Sequence, residues 1–132
     1  FDFTLLEEEL RRHKLPTLSE RLGLSEPAPI IDPLVLDRHF DRYRKGKQQL
    51  SLMASAYGVP VSENEHTAEY DVVMTLDVLA AIARKFPDCA AQSCNQIHAF
   101  QKEAHAAWAE NFENFLRSRG RETHIDRRWP MQ

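Results

Sequence analysis

Proline placement is what most limits the fold of this chain. The 132-residue sequence holds seven prolines, and a proline inside a helix removes a hydrogen bond and clashes with the preceding turn. Helices longer than about five turns therefore fit only between Pro60 and Pro87 and between Pro87 and Pro130, because Gly46 divides the interval from Pro33 to Pro60. Within those bounds the apolar residues recur at helical spacing. Residues 1–13 place Phe3, Leu6 and Leu10 on one side and charges on the other, and Pro16 follows. A short helix over Leu18–Leu22 closes at Gly23, and another runs from Pro33 through Phe40 towards Gly46. A further short helix is expected over residues 48–57, with Leu50, Met53, Ala54 and Tyr57 on one side.

Two long helices complete the pattern. One is expected from about His66 to Phe86, apolar at Ala68, Val72, Leu76, Leu79 and Ala83 but also at Val73, Met74 and Ile82. Apolar residues on more than one face predict a central helix covered on both sides. The other spans residues 93–118, with a stripe of Ile97, Phe100, Ala104, Trp108, Phe112 and Phe115. That stripe is expected to face the core, or a partner where it lies exposed. Only Ile30 and Ile31, after the Pro27-Ala28-Pro29 connector, suggest a strand. A lone strand leaves its backbone polar groups unpaired, so it would need a sheet from elsewhere.

Composition narrows the class. Apolar residues at 42% and charged residues at 28% permit one buried core, and a formal charge of −3 argues against coating nucleic acid by bulk charge. The longest apolar run covers residues 78–83, too short to cross a bilayer, so no membrane partner is expected. No leader is evident, and the chain opens on Phe1 rather than Met, which is expected of a piece of a longer polypeptide. Two cysteines, Cys89 and Cys94, fit reduced thiols in a cytoplasmic protein. With His98 and His105 they match no structural zinc spacing.

The sharpest local feature is His66-Thr67-Ala68-Glu69-Tyr70-Asp71. On a continuous helix a five-residue step turns about 140° beyond one revolution, so the two side chains would not share a face. A histidine just before the helix can instead fold back beside a first-turn carboxylate, which suits a water-activating base next to a metal ligand. The same residues also make an ordinary helix start, where Glu69 and Asp71 are favoured by the helix dipole.

Three stretches in order, "FDFTLLEEELRRH", "VLDRHFDRYRKGKQQLSLMASAYGVP" and "HTAEYDVVMTLDVLAAIA", resemble the C-terminal two-thirds of a DEDDh-type 3′–5′ exonuclease. This family includes the epsilon-like proofreading subunits of bacterial DNA polymerase III. His66, Ala68 and Asp71 match its H-x-A-x-x-D motif, and Phe1-Asp2 matches the aromatic-Asp pair that opens a helix in its second motif. The resemblance implies an α/β, ribonuclease H-like fold, the chain here being mostly its helical portion with at most one or two strands. It implies an exonuclease part over residues 1–88 and a helical extension over residues 89–132. It also implies two Mg²⁺ or Mn²⁺ ions, with Asp2 and Asp71 as ligands and His66 as the general base. The implied substrate is a single-stranded DNA 3′ end, with RNA as the variant, and the implied partner is a polymerase subunit.

One family feature is missing: no Asp-x-Glu follows a β-branched strand, so two of the four expected carboxylates are absent and this piece alone is expected to be inactive. Arg38, Arg42, Arg44, Lys45 and Lys47 form a basic run, which reads equally as a solvated helix end whose cations match the dipole or as a DNA contact, with Arg44 and Lys45 the candidates for the backbone. A second run, Arg117, Arg119, Arg121, Arg127 and Arg128, is interleaved with Glu122 and Asp126 and reads as a solvated helix end. The competing functional class is a catalytically inactive, nuclease-derived helical module used for protein–protein contact.

Overall fold

The structure is a computed structural model that describes residues 2–62 and 67–132. The chain is mostly helical, and its elements are α1 (Asp2–Arg12), α2 (Leu18–Leu22), α3 (Pro33–Phe40), α4 (Leu50–Ala56), α5 (Ala68–Lys85), α6 (Pro87–Ala90) and α7 (Cys94–Ser118). Among the described residues no helix is long and apolar enough to cross a membrane. The residues group into two compact units, one made of Phe1–Ile31 with Cys94–Gln132 and the other of Asp32–Ser93.

In the first unit, local caps make helices too short to persist alone. The Thr17 hydroxyl accepts from the Glu20 backbone N–H at 3.1 Å, and the Glu20 carboxylate accepts from the Thr17 N–H at 2.8 Å. Glu7 reaches across from α1, buried at 1% exposure. One of its oxygens accepts from the Ser19 N–H at 3.0 Å and the Ser19 hydroxyl at 2.8 Å. Although burial opposes it, these hydrogen bonds at the start of α2 keep the Glu7 carboxyl below its ordinary range.

Ile30 and Ile31 do not form a strand, and no strand occurs among the described residues. The backbone groups of Ile30 are satisfied by α7 side chains: its N–H donates to His98 Nδ1 at 3.0 Å, and its carbonyl accepts from Gln101 Nε2 at 2.9 Å. A segment paired in this way needs no sheet. With Nδ1 accepting, His98 presents Nε2 as donor to Glu26 at 3.3 Å, and Lys102 pairs with the same carboxylate.

The face of α7 that is covered also differs from the expected stripe. Ile97 and Ala104 of that stripe are buried, but so are His98, Gln101, His105, Ala109 and Glu113, whereas Phe112 and Phe115 are exposed. The C-terminal tail supplies the cover. The Ile125 N–H donates to Glu113 Oε2 at 3.0 Å, His105 Nε2 contacts the Asp126 carbonyl at 3.0 Å, and Trp129 packs on His98 at 5.2 Å. The Gln132 N–H ends the path on the Thr4 hydroxyl of α1 at 3.0 Å.

Glu113 is the hub of this strap. The Ile125 N–H and the Arg127 guanidinium, helped by Arg117, hold its carboxyl down to about 2 against the cost of burial. A carboxyl lowered from an ordinary value of 4.5 stabilises the tail fully above that value, and the stabilisation is lost as pH falls towards 2. The protection of the Ile125 amide, its exchange corrected for the intrinsic pH dependence, is therefore expected to fall in acid between those limits. In Glu113→Gln that protection should be low already at neutral pH and lose the acid-dependent step.

In the second unit, α5 is the centre. Met74, Val78, Ala81 and Ile82 on α5, Val35 and Leu36 on α3, Met53 and Ala54 on α4, and Cys89 on α6 are all buried. Phe40 and Phe86 stack at 5.2 Å, and Tyr57 meets Phe86 edge-on at 6.5 Å. Helix α3 stops at Phe40 rather than running to Gly46, with Asp41 as its C-cap. The expectation that α5 is covered on both sides does not hold among the described residues: Val72, Val73 and Leu76 are 60%, 51% and 60% exposed.

Candidate functional site

His66, the expected base, lies outside the described residues. Thr67 is the N-cap of α5, its hydroxyl accepting from the Tyr70 N–H at 3.2 Å. The Tyr70 hydroxyl in turn accepts from the backbone N–H of Ser62 at 2.6 Å. Ser62 and Thr67 are thus both tied to Tyr70 in the first turn of α5. Asp71 stands in that turn, exposed, with its own N–H given to the Thr67 carbonyl at 3.1 Å.

Asp2 occupies the matching place in α1, exposed in the first helical turn, but belongs to the first unit whereas Asp71 belongs to the second. Among the described residues neither carboxylate has a hydrogen-bond or ion-pair partner from a side chain. The same is true of Glu69 and Asp77, so the motif and not this freedom singles out Asp71. Among the described residues no three His, Cys, Asp or Glu side chains come together as a metal site. By themselves they do not fit a divalent cation, which needs several oxygen ligands at once. A shallow depression of about 240 Å³ beside Asp71 is lined by Val72, Thr75 and Leu76.

The loop between α3 and α4 carries the basic run, and its cations divide into two kinds. Arg44 is held inside. Its guanidinium pairs with Asp37, and its Nε donates to Asp41 at 3.0 Å. Asp37 is fully buried and also accepts from the Tyr57 hydroxyl at 2.8 Å and from Gln48 Nε2 at 3.3 Å. Arg38 donates to the Gln48 amide oxygen at 2.9 Å. Burial first, then the neighbouring Asp37 charge, push the Tyr57 phenol well above its ordinary value. Arg44, expected at the DNA backbone, is thus already neutralised by two carboxylates, and its work is to fix the loop. Lys45 is exposed, as are Arg42, Tyr43 and Lys47.

The second basic run is largely spent on its own unit. Arg117 and Arg127 pair with Glu113 at 2.8 and 3.3 Å, and Arg128 pairs with Asp126 at 2.6 Å. An open depression of about 670 Å³ beside this run is lined by Arg117, Gly120, Glu122, Thr123 and His124. Both Arg117 and His124 are already directed to Glu113. Sequence reasoning passed over Asp37, which no spacing distinguishes from a surface residue of α3. It also passed over Tyr43, although an aromatic between Arg42 and Arg44 is a readable signal for nucleic-acid contact.

Comparison of the chain with models of known protein families, with curated proteins and with solved structures finds no match.

Proposed function

We propose that this chain is the helical part of a metal-dependent 3′–5′ exonuclease of ribonuclease H-like architecture, acting on single-stranded DNA 3′ ends. The observation that carries the reading is the start of α5. Ser62 and Thr67 are both hydrogen-bonded to Tyr70, in the turn that presents the exposed Asp71 carboxylate of the H-x-A-x-x-D match. In this reading His66 would take the proton of the attacking water, and the resemblance assigns Asp71 and Asp2 as carboxylates that would each contribute to holding Mg²⁺ or Mn²⁺. The reading requires two further carboxylates beyond those matched in this sequence. The test is a 3′–5′ digestion of a 5′-labelled single strand by the full-length polypeptide with Mn²⁺. A ladder shortening from the 3′ end supports it; an intact strand at every enzyme concentration overturns it.

The exposed apolar stripe of α5 favours a second reading, a non-catalytic helical module that binds another protein through Val72, Val73 and Leu76. An intact strand, together with a stable complex abolished by Leu76→Lys, would establish that reading.

A further inference from the structure

The loop between α3 and α4 is built from the inside and open on the outside. Asp37 and Asp41 hold Arg44, and Gln48 is bound by Arg38 and by Asp37, so both halves of the loop are tied to α3. What the loop presents outward is an aromatic ring among cations. Tyr43 is 85% exposed, and the Arg42 guanidinium lies over its ring, 5.6 Å from the centroid. Arg42, Lys45 and Lys47 are exposed, and among the described residues none has an acidic partner. Large rings are costly to leave in water, and here one is held out next to three unneutralised charges.

We infer that this loop is a contact for single-stranded nucleic acid, with Tyr43 stacking a base and Arg42, Lys45 and Lys47 holding the adjacent phosphates. A base and Arg42 would then sandwich the phenol ring, which combines stacking with a cation–π contact. A duplex keeps its bases stacked on one another and offers the ring nothing along its length. An acidic polypeptide would use the cations but leave the ring idle. The choice of nucleic acid rests on the exonuclease reading; the loop as a binding surface rests on its own geometry.

Fluorescence anisotropy of labelled dT15 with the full chain, in chelator and at about 50 mM salt, tests it, since hydrolysis is then off and electrostatic binding strong. Tyr43→Ala is expected to weaken binding about 5- to 100-fold, as loss of one stacked base does. Tyr43→Phe should stay within about twofold, because the ring rather than the hydroxyl makes the contact. The double variant Lys45→Gln, Lys47→Gln should flatten the slope of log K against log salt by about 1.4. Equal far-UV spectra will show that these exposed substitutions leave the fold intact. The inference is overturned by absence of dT15 binding, by Tyr43→Ala binding as tightly as wild type, or by an oligoglutamate competing as well as unlabelled dT15. Tyr43-dependent binding by a full-length polypeptide that digests nothing would keep the loop and remove the nuclease. Digestion with binding indifferent to Tyr43 would do the reverse.

Discussion

Asp37→Ala is expected to lower the stability of the Asp32–Ser93 unit by about 3–5 kcal/mol, the largest single-residue effect expected for the fold. Asp37 has no exposed surface, and three donors converge on it: the Arg44 guanidinium, the Tyr57 hydroxyl and the Gln48 amide. Truncation leaves the Tyr57 hydroxyl and the Gln48 amide without this acceptor and Arg44 with Asp41 as its remaining carboxylate, around a position that itself has no exposed surface. The loss is larger than the worth of any one bond, because each stranded donor keeps its own desolvation cost. Asp37→Asn keeps an acceptor and a similar shape but removes the charge, so a smaller loss of about 1–3 kcal/mol is expected. Urea titration followed by circular dichroism should show the midpoint falling in the order wild type, Asn, Ala at unchanged slope. An Ala variant within about 1 kcal/mol of wild type would mean that Asp41 alone suffices to hold Arg44, and Asp37 would lose its role as the anchor of the loop.

The same residue shows where sequence reading stops. Helix existence was legible, because prolines and glycines punctuate the chain: α2 ends at Gly23 and α5 before Pro87 as the pattern implies. Helix faces were legible only in part: Ile97 and Ala104 of the α7 stripe are buried, but so are polar residues beside them. A residue is assigned to the solvent side by its polarity, yet His98, Gln101, His105 and Glu113 form the covered side of α7. They are covered because Ile30, Asp126 and Ile125, remote in the chain, bring backbone groups that those side chains satisfy. Periodicity measures what a helix would bury if alone with oil, not what a neighbouring segment needs from it. The Ile30–Ile31 strand failed for the same reason, since its partners were side chains. At the site, the His66–Asp71 spacing was readable and the pinning of Ser62 on Tyr70 was not, because a hydroxyl eight residues away carries no pattern.

If the exonuclease proposal holds, His66→Ala in the full-length polypeptide is expected to reduce 3′–5′ digestion by about 10²–10⁴-fold, the usual contribution of a positioned proton acceptor. Binding should change far less, because the base acts on water and not on the strand. On the same reading Asp71→Asn should reduce digestion comparably or more, while leaving stability within about 0.5 kcal/mol, since the side chain is exposed and its carboxylate has no hydrogen-bond or ion-pair partner among the described residues. The two variants separate the roles by their pH dependence. A rate that needs a neutral imidazole rises through about pH 6–7. His66→Ala should abolish that rising limb, whereas the residual rate of Asp71→Asn should keep it, because the imidazole is still present. Single-turnover rates on a 5′-labelled strand, measured between pH 5.5 and 8.5, decide the matter. Wild-type rates in His66→Ala would remove the histidine from the chemistry. A rising limb that survives in His66→Ala would assign the proton transfer to another group.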